Sequence, residues 1–325
     1  MAPNRSLVRA IIVVGIAALF GHPVVAGAQS YPHKPVRVIV AFAAGGFADA
    51  VARQIAQKLS DRLGQQFVVD NRGGAGGNIA ARIAAEAAPD GYTLLAHTAA
   101  SSINATLYKN VGFDFLKDLA PVANTVSAAG LFTVMVSHPA RNLQDLIRMS
   151  RGKRLTYATA GVGTSSHIAA DYLLRVLARL DAVHVPYKGG GPAVVAVLGN
   201  EVELQYGSGS ALPHIKAGTM KALGVSSLNR IESLPDVPTV SEAGFPGFEE
   251  RSWVGFFTQA KTPAAIVILM NGEINQVLAL PDVSASFKAR GMEIHPGSAA
   301  DFTRYVQKEV VNWAKMVKAT GVKVE

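Results

Sequence analysis

The 325-residue sequence contains no cysteine, which excludes disulfides and a lipid anchor attached to a cysteine. Beyond the N-terminus it has no apolar run long enough to span a membrane, because charges, glycine or proline interrupt each stretch. It has no run of five or more basic residues, so the clustered basic face typical of nucleic-acid binding is missing. Its 31 Lys and Arg still exceed its 23 Asp and Glu. This mild, dispersed positive charge suits a small anionic ligand.

The N-terminus has the three parts of a secretory signal peptide. Arg5 and Arg9 give the positive region, residues 10–20 form a short apolar run, and Ala26 and Ala28 form the cleavage site. The sequence predicts that residues 1–28 are removed and that the exported chain begins at Gln29. An uncleaved N-terminal anchor is the alternative. The remaining length of about 300 residues favours two domains.

The first half of the mature chain alternates strands and helices. Residues 36–42 read as a buried strand, and the following helix carries Val51, Ile55 and Leu59 on one face, with Gly64 as its stop. Further strands are predicted at 67–69 and 92–97, separated by an alanine-rich helix. This βαβαβ order predicts an α/β fold with a doubly wound parallel sheet.

The second half repeats the pattern. Two strands, 119–126 and 131–136, are predicted on either side of a glycine-containing turn, and 155–159, 165–179 and 183–185 form a second βαβ unit. Thr262 is predicted to cap one late helix, and Gly321 to end the last helix, 300–319.

A discontinuous domain is the favoured organisation. Lobe 1 would comprise 29–126 plus 227–325, and lobe 2 would comprise 127–226, with crossings near Ser127 and Ser226. Two sequential α/β domains with a helical tail fit the same periodicity.

The loop that follows the first strand is the first candidate site. Residues 42–49 run from a strand end through Gly45 and Gly46 to a helix N-terminus, where free N–H groups and the helix dipole bind carboxylate or phosphate. Asp49 is predicted to cap that helix. A tight turn with a capped helix and no ligand is the alternative.

Three more loops rich in glycine or serine also follow strands: 161–167, 187–192 and 205–210. The first supplies hydroxyl donors at a helix start, and the second carries Lys188, whose charge we expect to be solvated. Because ligands of open α/β sheets bind at the carboxyl edge of the strands, these loops predict a cleft between two such edges.

Signatures of catalysis and of cofactor binding are missing. The sequence has no Walker A motif, the 161–167 loop fails the dinucleotide fingerprint, and no Gly-x-Ser-x-Gly elbow occurs. A serine hydrolase using Ser165 or Ser166 is the alternative from another functional class, although neighbours such as Ser166 and His167 do not face each other on a helix. No metal is predicted, since the histidines lack metal-ligand spacing: His97, His138, His184, His214 and His295.

These motifs together resemble the Bug family, the extracytoplasmic receptors of tripartite tricarboxylate transporters. The resemblance covers the mature chain in order. It rests on Tyr31-Pro32, Lys34-Pro35-Val36-Arg37, Phe42-Ala43-Ala44-Gly45-Gly46, Asn71-Arg72, Gly74-Ala75-Gly76-Gly77-Asn78, Ala88-Pro89-Asp90-Gly91-Tyr92, Gly161-Val162-Gly163-Thr164-Ser165-Ser166-His167, Pro186-Tyr187-Lys188-Gly189-Gly190-Gly191-Pro192 and Leu234-Pro235-Asp236-Val237-Pro238.

The resemblance implies a type II-like Venus-flytrap fold, and a function in binding rather than catalysis, in the periplasm of a Gram-negative bacterium. It also implies a monomer without a cofactor, whose partners are a small carboxylate and membrane permease subunits, although a signalling partner would fit equally. The implied ligands are di- or tricarboxylates, acidic amino acids or aromatic acids, held largely by backbone N–H groups of the first loop. The ligand-binding residues predicted are Phe42, Ala43, Ala44, Gly45, Gly46, Phe47, Ala48, Asp49, Thr98, Ala99, Thr164, Ser165, Ser166, His167, Tyr187, Gly207 and Ser208. Phe47 and Ala48 depart from the family pattern, in which small or hydroxyl residues precede the aspartate. The ring of Phe47 is expected to narrow the cleft or to stack on an aromatic ligand.

Overall fold

The computed structural model describes residues 31–108 and 111–323 as alternating strands and helices. The predicted signal peptide and its cleavage site lie outside these residues. The chain divides into two units, residues 1–33 and residues 34–325, and all the elements below belong to the second. Among the described helices, none is long and apolar enough to span a membrane alone. Only Ala264–Leu278 and Pro281–Ala289, bent by 71° at their junction, reach that length and composition as a pair.

The first part of the fold is the predicted parallel βαβαβ unit. Its strands pair in the order β2-β1-β3. Val51, Ile55 and Leu59 of its first helix are fully buried, and Gly64 ends that helix in the left-handed conformation, as predicted. The elements are β1 (Val36–Val40), α1 (Phe47–Leu63), β2 (Phe67–Asn71), α2 (Asn78–Ala85), β3 (Thr93–Thr98), α3 (Ala100–Leu107) and α4 (Phe115–Asp118).

One long strand, β4 (Leu119–Met135), replaces the two strands predicted there. Gly130 was expected to form a turn but lies in extended pairing with Ser208. A Cβ at Gly130 would overlap the ring of Tyr206, so this glycine makes room for a close approach and does not reverse the chain. The prediction of a turn was therefore wrong.

The second part of the fold contains another parallel unit. Its strands are β5 (Arg154–Thr159), β6 (Asp181–Pro186) and β7 (Leu204–Ser208), and β8 (Met220–Val225) follows as an antiparallel partner of β4. The helices of this part are α5 (Leu143–Ser150), α6 (Ser165–Asp171), α7 (Gly190–Leu198) and α8 (Leu212–Lys216). β5 pairs in parallel with both β6 and β7. The helix predicted over 165–179 is α6 followed by a π-helical segment, Tyr172–Leu177.

The chain ends with β9 (Arg251–Gln259), α9 (Ala264–Leu278), α10 (Pro281–Ala289), β10 (Met292–Ile294) and α11 (Ala299–Thr320). Pro263 occupies the N-cap position of α9, so the predicted cap at Thr262 is wrong. Thr262 is buried and its hydroxyl pairs with that of Thr258 at 3.1 Å instead. Gly321 ends α11 in the left-handed conformation, as predicted.

The sheet runs in the order β2-β1-β3-β9-β4-β7-β5-β6, with β8 and β10 also paired to β4. β4 changes partners along its length: residues up to Ala129 pair with β9, and residues from Gly130 onward pair with β7 and β8. The chain leaves β8 at Val225 and enters β9 at Arg251. The lobe boundaries given above remain a prediction.

Candidate functional site

A small cavity of about 40 Å³ lies where strand ends from both parts of the sheet meet. One ordered water needs ~10–15 Å³, so the cavity has the size of a site for a small molecule. Phe42 follows β1, Thr98 ends β3 and Ala160 follows β5. The described lining residues are Phe42, Phe47, Ala48, Thr98, Ala160, Thr164, Ser165, Ser166, Gly190, Gly207, Ser208, Ser210 and Ser252, none of which carries a charged side chain.

Two helices begin at this cavity with uncapped N-termini. Phe47 and Ala48 open the 17-residue helix α1, and Gly190 opens α7. Their N-cap residues, Gly46 and Gly189, provide no side chain to accept the first N–H groups. Because these donors have no acceptor inside the helix and lie at the positive end of its dipole, they favour an anion.

Asp49 anchors the first loop, although not as the predicted cap. It lies inside the first turn of α1, where its Oδ2 accepts the N–H of Gly45 at 2.9 Å. Its Oδ1 accepts from Arg53 and Asn71, each at 2.9 Å. The carboxylate of Asp49 is buried, and this network fixes the loop. It uses one N–H group, that of Gly45, which the sequence analysis had assigned to the ligand.

The first loop touches the 187–192 loop of the second part directly. The N–H of Ala43 donates to the carbonyl of Lys188 at 2.8 Å. A Cβ on Gly191 would lie 3.0 Å from the carbonyl oxygen of Ala44. Any larger residue would therefore crowd this approach. Lys188 itself is exposed and makes no ion pair with any described side chain.

Hydroxyl groups at the start of α6 line the opposite wall. Thr164 Oγ1 caps the helix by accepting the N–H of His167 at 3.2 Å and donates to the carbonyl of Gly161 at 2.7 Å. Ser166 Oγ lies 2.9 Å from Thr164 Oγ1. The 161–167 loop is therefore held in place by its own hydrogen bonds.

A buried carboxyl group lies behind this wall. Glu250 is 3% exposed, and its Oε2 accepts from the hydroxyl of Tyr206 at 2.6 Å. Burial raises the pKa of Glu250, although the hydroxyls of Tyr206, Ser165 and Ser226 act in the opposite direction. Ser226 also accepts the N–H of Gly130 at 2.7 Å, so the cluster joins the cavity wall to the point where β4 changes partners.

His167 packs on a second histidine. Its ring stacks on His184 at a centroid distance of 3.9 Å and an interplanar angle of 15°. Burial lowers the pKa of His167 to about 4 and that of His184 to about 3, so both rings are neutral near pH 7. The Nδ1 atom of His167 accepts the N–H of Gly163 at 3.4 Å. Among the described residues no serine hydroxyl hydrogen-bonds this ring, and a nucleophile activated by a base requires such a bond.

Nine of the predicted residues line the cavity: Phe42, Phe47, Ala48, Thr98, Thr164, Ser165, Ser166, Gly207 and Ser208. Gly45 and Gly46 line a neighbouring pocket with Phe47. Ala43, Ala44, Asp49, Ala99 and His167 lie outside the lining, and Tyr187 instead donates to Glu201 at 3.3 Å.

Sequence reasoning missed Ala160, Gly190, Ser210 and Ser252 as lining residues. Gly190 and Ser210 stand in glycine-rich loops that did give a signal, whereas Ser252 lies on β9 beyond an irregular segment and gave none. In the described ranges, no group of three or more His, Asp or Glu side chains is arranged to hold a metal ion.

The chain is similar to proteins of one family along most of its length. The model of the tripartite tricarboxylate transporter family receptor, TctC, matches residues 51–322. The structure of the periplasmic binding protein BugD superposes with a TM-score of 0.87 at 33% identity, covering 91% of this chain and 100% of that one.

Two solved structures of similar proteins contain carboxylates. R. palustris Rpa4515 with adipate gives a TM-score of 0.87 at 32% identity, covering 90% of this chain and 99% of that one. MatC from Rhodopseudomonas palustris with bound malate gives 0.83 at 31% identity, covering 88% and 100%.

The arrangement is that of a periplasmic solute-binding protein. The chain belongs to the tripartite tricarboxylate transporter receptor family, the Bug family. The α/β periplasmic-binding-protein fold and the family resemblance predicted from the sequence are confirmed.

Proposed function

We propose that this protein captures a small carboxylate in the cavity and delivers it to the membrane permease of a tripartite tricarboxylate transporter. The observation that carries the proposal is the described lining itself. Hydroxyl groups and two uncapped helix starts surround a space of about 40 Å³ without any charged side chain.

Such a lining suits a carboxylate for physical reasons. Backbone N–H and hydroxyl groups that donate to an ionised oxygen form hydrogen bonds about twice as strong as those to a neutral acceptor. The rings of Phe42 and Phe47 provide apolar walls for the carbon chain. The principal donors are the first N–H groups of α1 together with the hydroxyl of Ser166, since the hydroxyl protons of Thr164 and Ser165 are directed at the carbonyl of Gly161 and at Glu250. The adipate and malate in structures of similar proteins support this chemical class.

Binding proceeds by closure of two lobes, 29–126 plus 227–325 and 127–226. The contacts of Ala43 with Lys188 and of Ala44 with Gly191 join loops assigned to opposite lobes. A ligand shifts the protein toward the closed arrangement only if it binds that arrangement more tightly than the open one. Donors from both lobes must therefore contact the ligand. The protein acts as a periplasmic monomer, and the closed form is the one that the permease recognises.

Isothermal titration calorimetry with malate, succinate and adipate tests the binding, after native mass spectrometry has shown the protein to be ligand-free. Ser166→Ala removes one hydroxyl donor and should weaken binding by about 2- to 10-fold. The matched control is Ser137→Ala, because Ser137 is exposed and lies outside the cavity; it should bind as the wild type does. If none of a panel of mono-, di- and tricarboxylates binds, the proposal is wrong.

Gly191→Ala tests closure. The new Cβ would press on the Ala44 carbonyl only when the loops meet, so affinity should fall while the melting temperature of the ligand-free protein changes little.

Cells lacking this protein should lose uptake of the acid that it binds. Unchanged uptake would contradict delivery to a permease.

A further inference from the structure

A second pocket lies beside the cavity. It measures about 360 Å³ and shares Phe47 and Ser210 with the inner cavity. We call it the outer pocket; its lining residues are Gly45, Gly46, Phe47, Ala50, Gly209, Ser210, Leu212, Pro213, Lys216, Ala289, Arg290 and Met292. Phe47 therefore stands between a small inner space and a larger outer one.

The ring of Phe47 is held in place by packing. Phe47 is 9% exposed. The position of a Cβ on Gly209 would be 3.7 Å from Phe47 Cδ2 and 3.6 Å from Met292 Cε, so ring, glycine and thioether lie together. The backbone of Phe47 opens α1. Shortening its side chain would therefore remove the partition and leave the N–H donor of the site in place.

The two spaces differ in charge. The described lining of the inner cavity holds no ionisable group, whereas the outer pocket holds the side chains of Lys216 and Arg290. Lys216 Nζ donates to the carbonyl of Ala289 at 2.8 Å. Arg290 is exposed and forms no ion pair with the rest of the described chain. The outer pocket is thus suited to an anionic group.

We propose that Phe47 determines ligand length by separating the inner cavity from an anion subsite in the outer pocket. A short carboxylate fits inside. A longer dicarboxylate must displace the ring, and its distal carboxylate then lies beside Lys216 and Arg290. The proposal rests on the proposed function, since it assumes that one carboxylate is held in the inner cavity.

The test measures binding of succinate, adipate and suberate by calorimetry, with hexanoate as the single-carboxylate match for adipate. In the wild type, affinity should fall as the diacid lengthens. Phe47→Ala should raise the affinity for adipate relative to succinate by about tenfold, the low end of the discrimination that one methylene gives in an apolar pocket. Phe47→Leu should give a smaller rise in the same direction, and it covers the case in which the alanine variant folds poorly.

Phe245→Leu is the matched control, because Phe245 lines neither the inner cavity nor the outer pocket. It should leave the dependence on chain length unchanged. Adding Arg290→Gln to Phe47→Ala should reduce the gain for adipate by about threefold, the scale of an exposed ion pair, and leave hexanoate unaffected.

If both Phe47 variants fold and keep the wild-type ratio of adipate to succinate affinity, the partition is overturned. If the gain is equal for hexanoate, or is indifferent to Arg290→Gln, the anion subsite is overturned. A wild-type protein that binds none of these acids contradicts the proposed function, and that outcome is distinct from both.

Discussion

Glu250 allows a sharp prediction about stability and pH. Its carboxyl group is buried beside Tyr206 behind the cavity, and burial raises its pKa. The folded protein therefore holds a proton on Glu250 at pH values where the unfolded chain has released it. The stabilising contribution of this group is complete below its ordinary pKa of about 4.5 and is lost as the pH rises through the folded-state pKa.

The variant Glu250→Gln is permanently neutral and isolates this effect. Below about pH 4.5 the free energy of unfolding of wild type and variant should differ by a constant. Above that pH, the wild type should lose stability relative to the variant by up to about 1.4 kcal/mol per pH unit, until the folded-state pKa is passed.

Urea unfolding of ligand-free protein, followed by tryptophan fluorescence from about pH 4 to about pH 8, measures the difference. Trp253 lies three residues from Glu250 and is fully buried, so it is a suitable probe. Glu249→Gln is the matched control, because Glu249 is exposed beside Arg251; its curve should parallel the wild type. Parallel curves for wild type and Glu250→Gln would refute the reasoning.

Three further predictions follow from particular contacts. Gly130→Ala should destabilise the protein by about 1–3 kcal/mol, because the new Cβ would overlap the Tyr206 ring. In contrast, Gly272→Ala should stabilise it by about 0.5–1 kcal/mol, because Gly272 lies in α9 with open space around it. Thermal melting that ranks the two variants the other way would contradict this prediction. Acid should destabilise the protein below pH 6.5, because burial lowers the pKa values of His97 and His167 to about 4 and the unfolded chain therefore takes up protons at a higher pH than the folded one. Each histidine accounts for at most about 3 kcal/mol of the lost stability. Replacing His97 by Gln should make the decline of the free energy of unfolding with acid less steep in urea titrations. Lys188→Ala should bind carboxylates as the wild type does, because Lys188 is exposed and contributes its carbonyl; calorimetry showing a large loss would indicate that a side-chain ion pair holds the ligand.

The family motifs and the loops that follow strands were readable from the sequence because they depend on local patterns. The spacing of apolar residues predicted helix α1. The glycines Gly64 and Gly321 predicted the ends of α1 and α11, and both adopt the left-handed conformation there. Carboxyl ends of parallel strands share one edge of a sheet, so loops recognised separately lie around one cavity. Thr164, Ser165 and Ser166 come from one of these loops and line the cavity.

Other features depend on residues that are distant in the chain. Gly130 reads as a turn in sequence, yet it lies inside β4 because Tyr206 occupies the space that its side chain would fill. Asp49 reads as a helix cap, yet Arg53 and Asn71 draw its carboxylate into a network that holds Gly45.

The sequence by itself determined the family, the alternation of strands and helices and the loops that bear the candidate site, since each is encoded in spacing, turn residues and short motifs. Only the tertiary structure placed Glu250 and Ser252 behind and beside the cavity, because no local pattern marks them and the return of the chain brings them there. It also set Phe47 between two spaces of unlike charge. Which side chains meet across the cleft depends on packing between segments far apart in sequence, and that is information a local pattern does not contain.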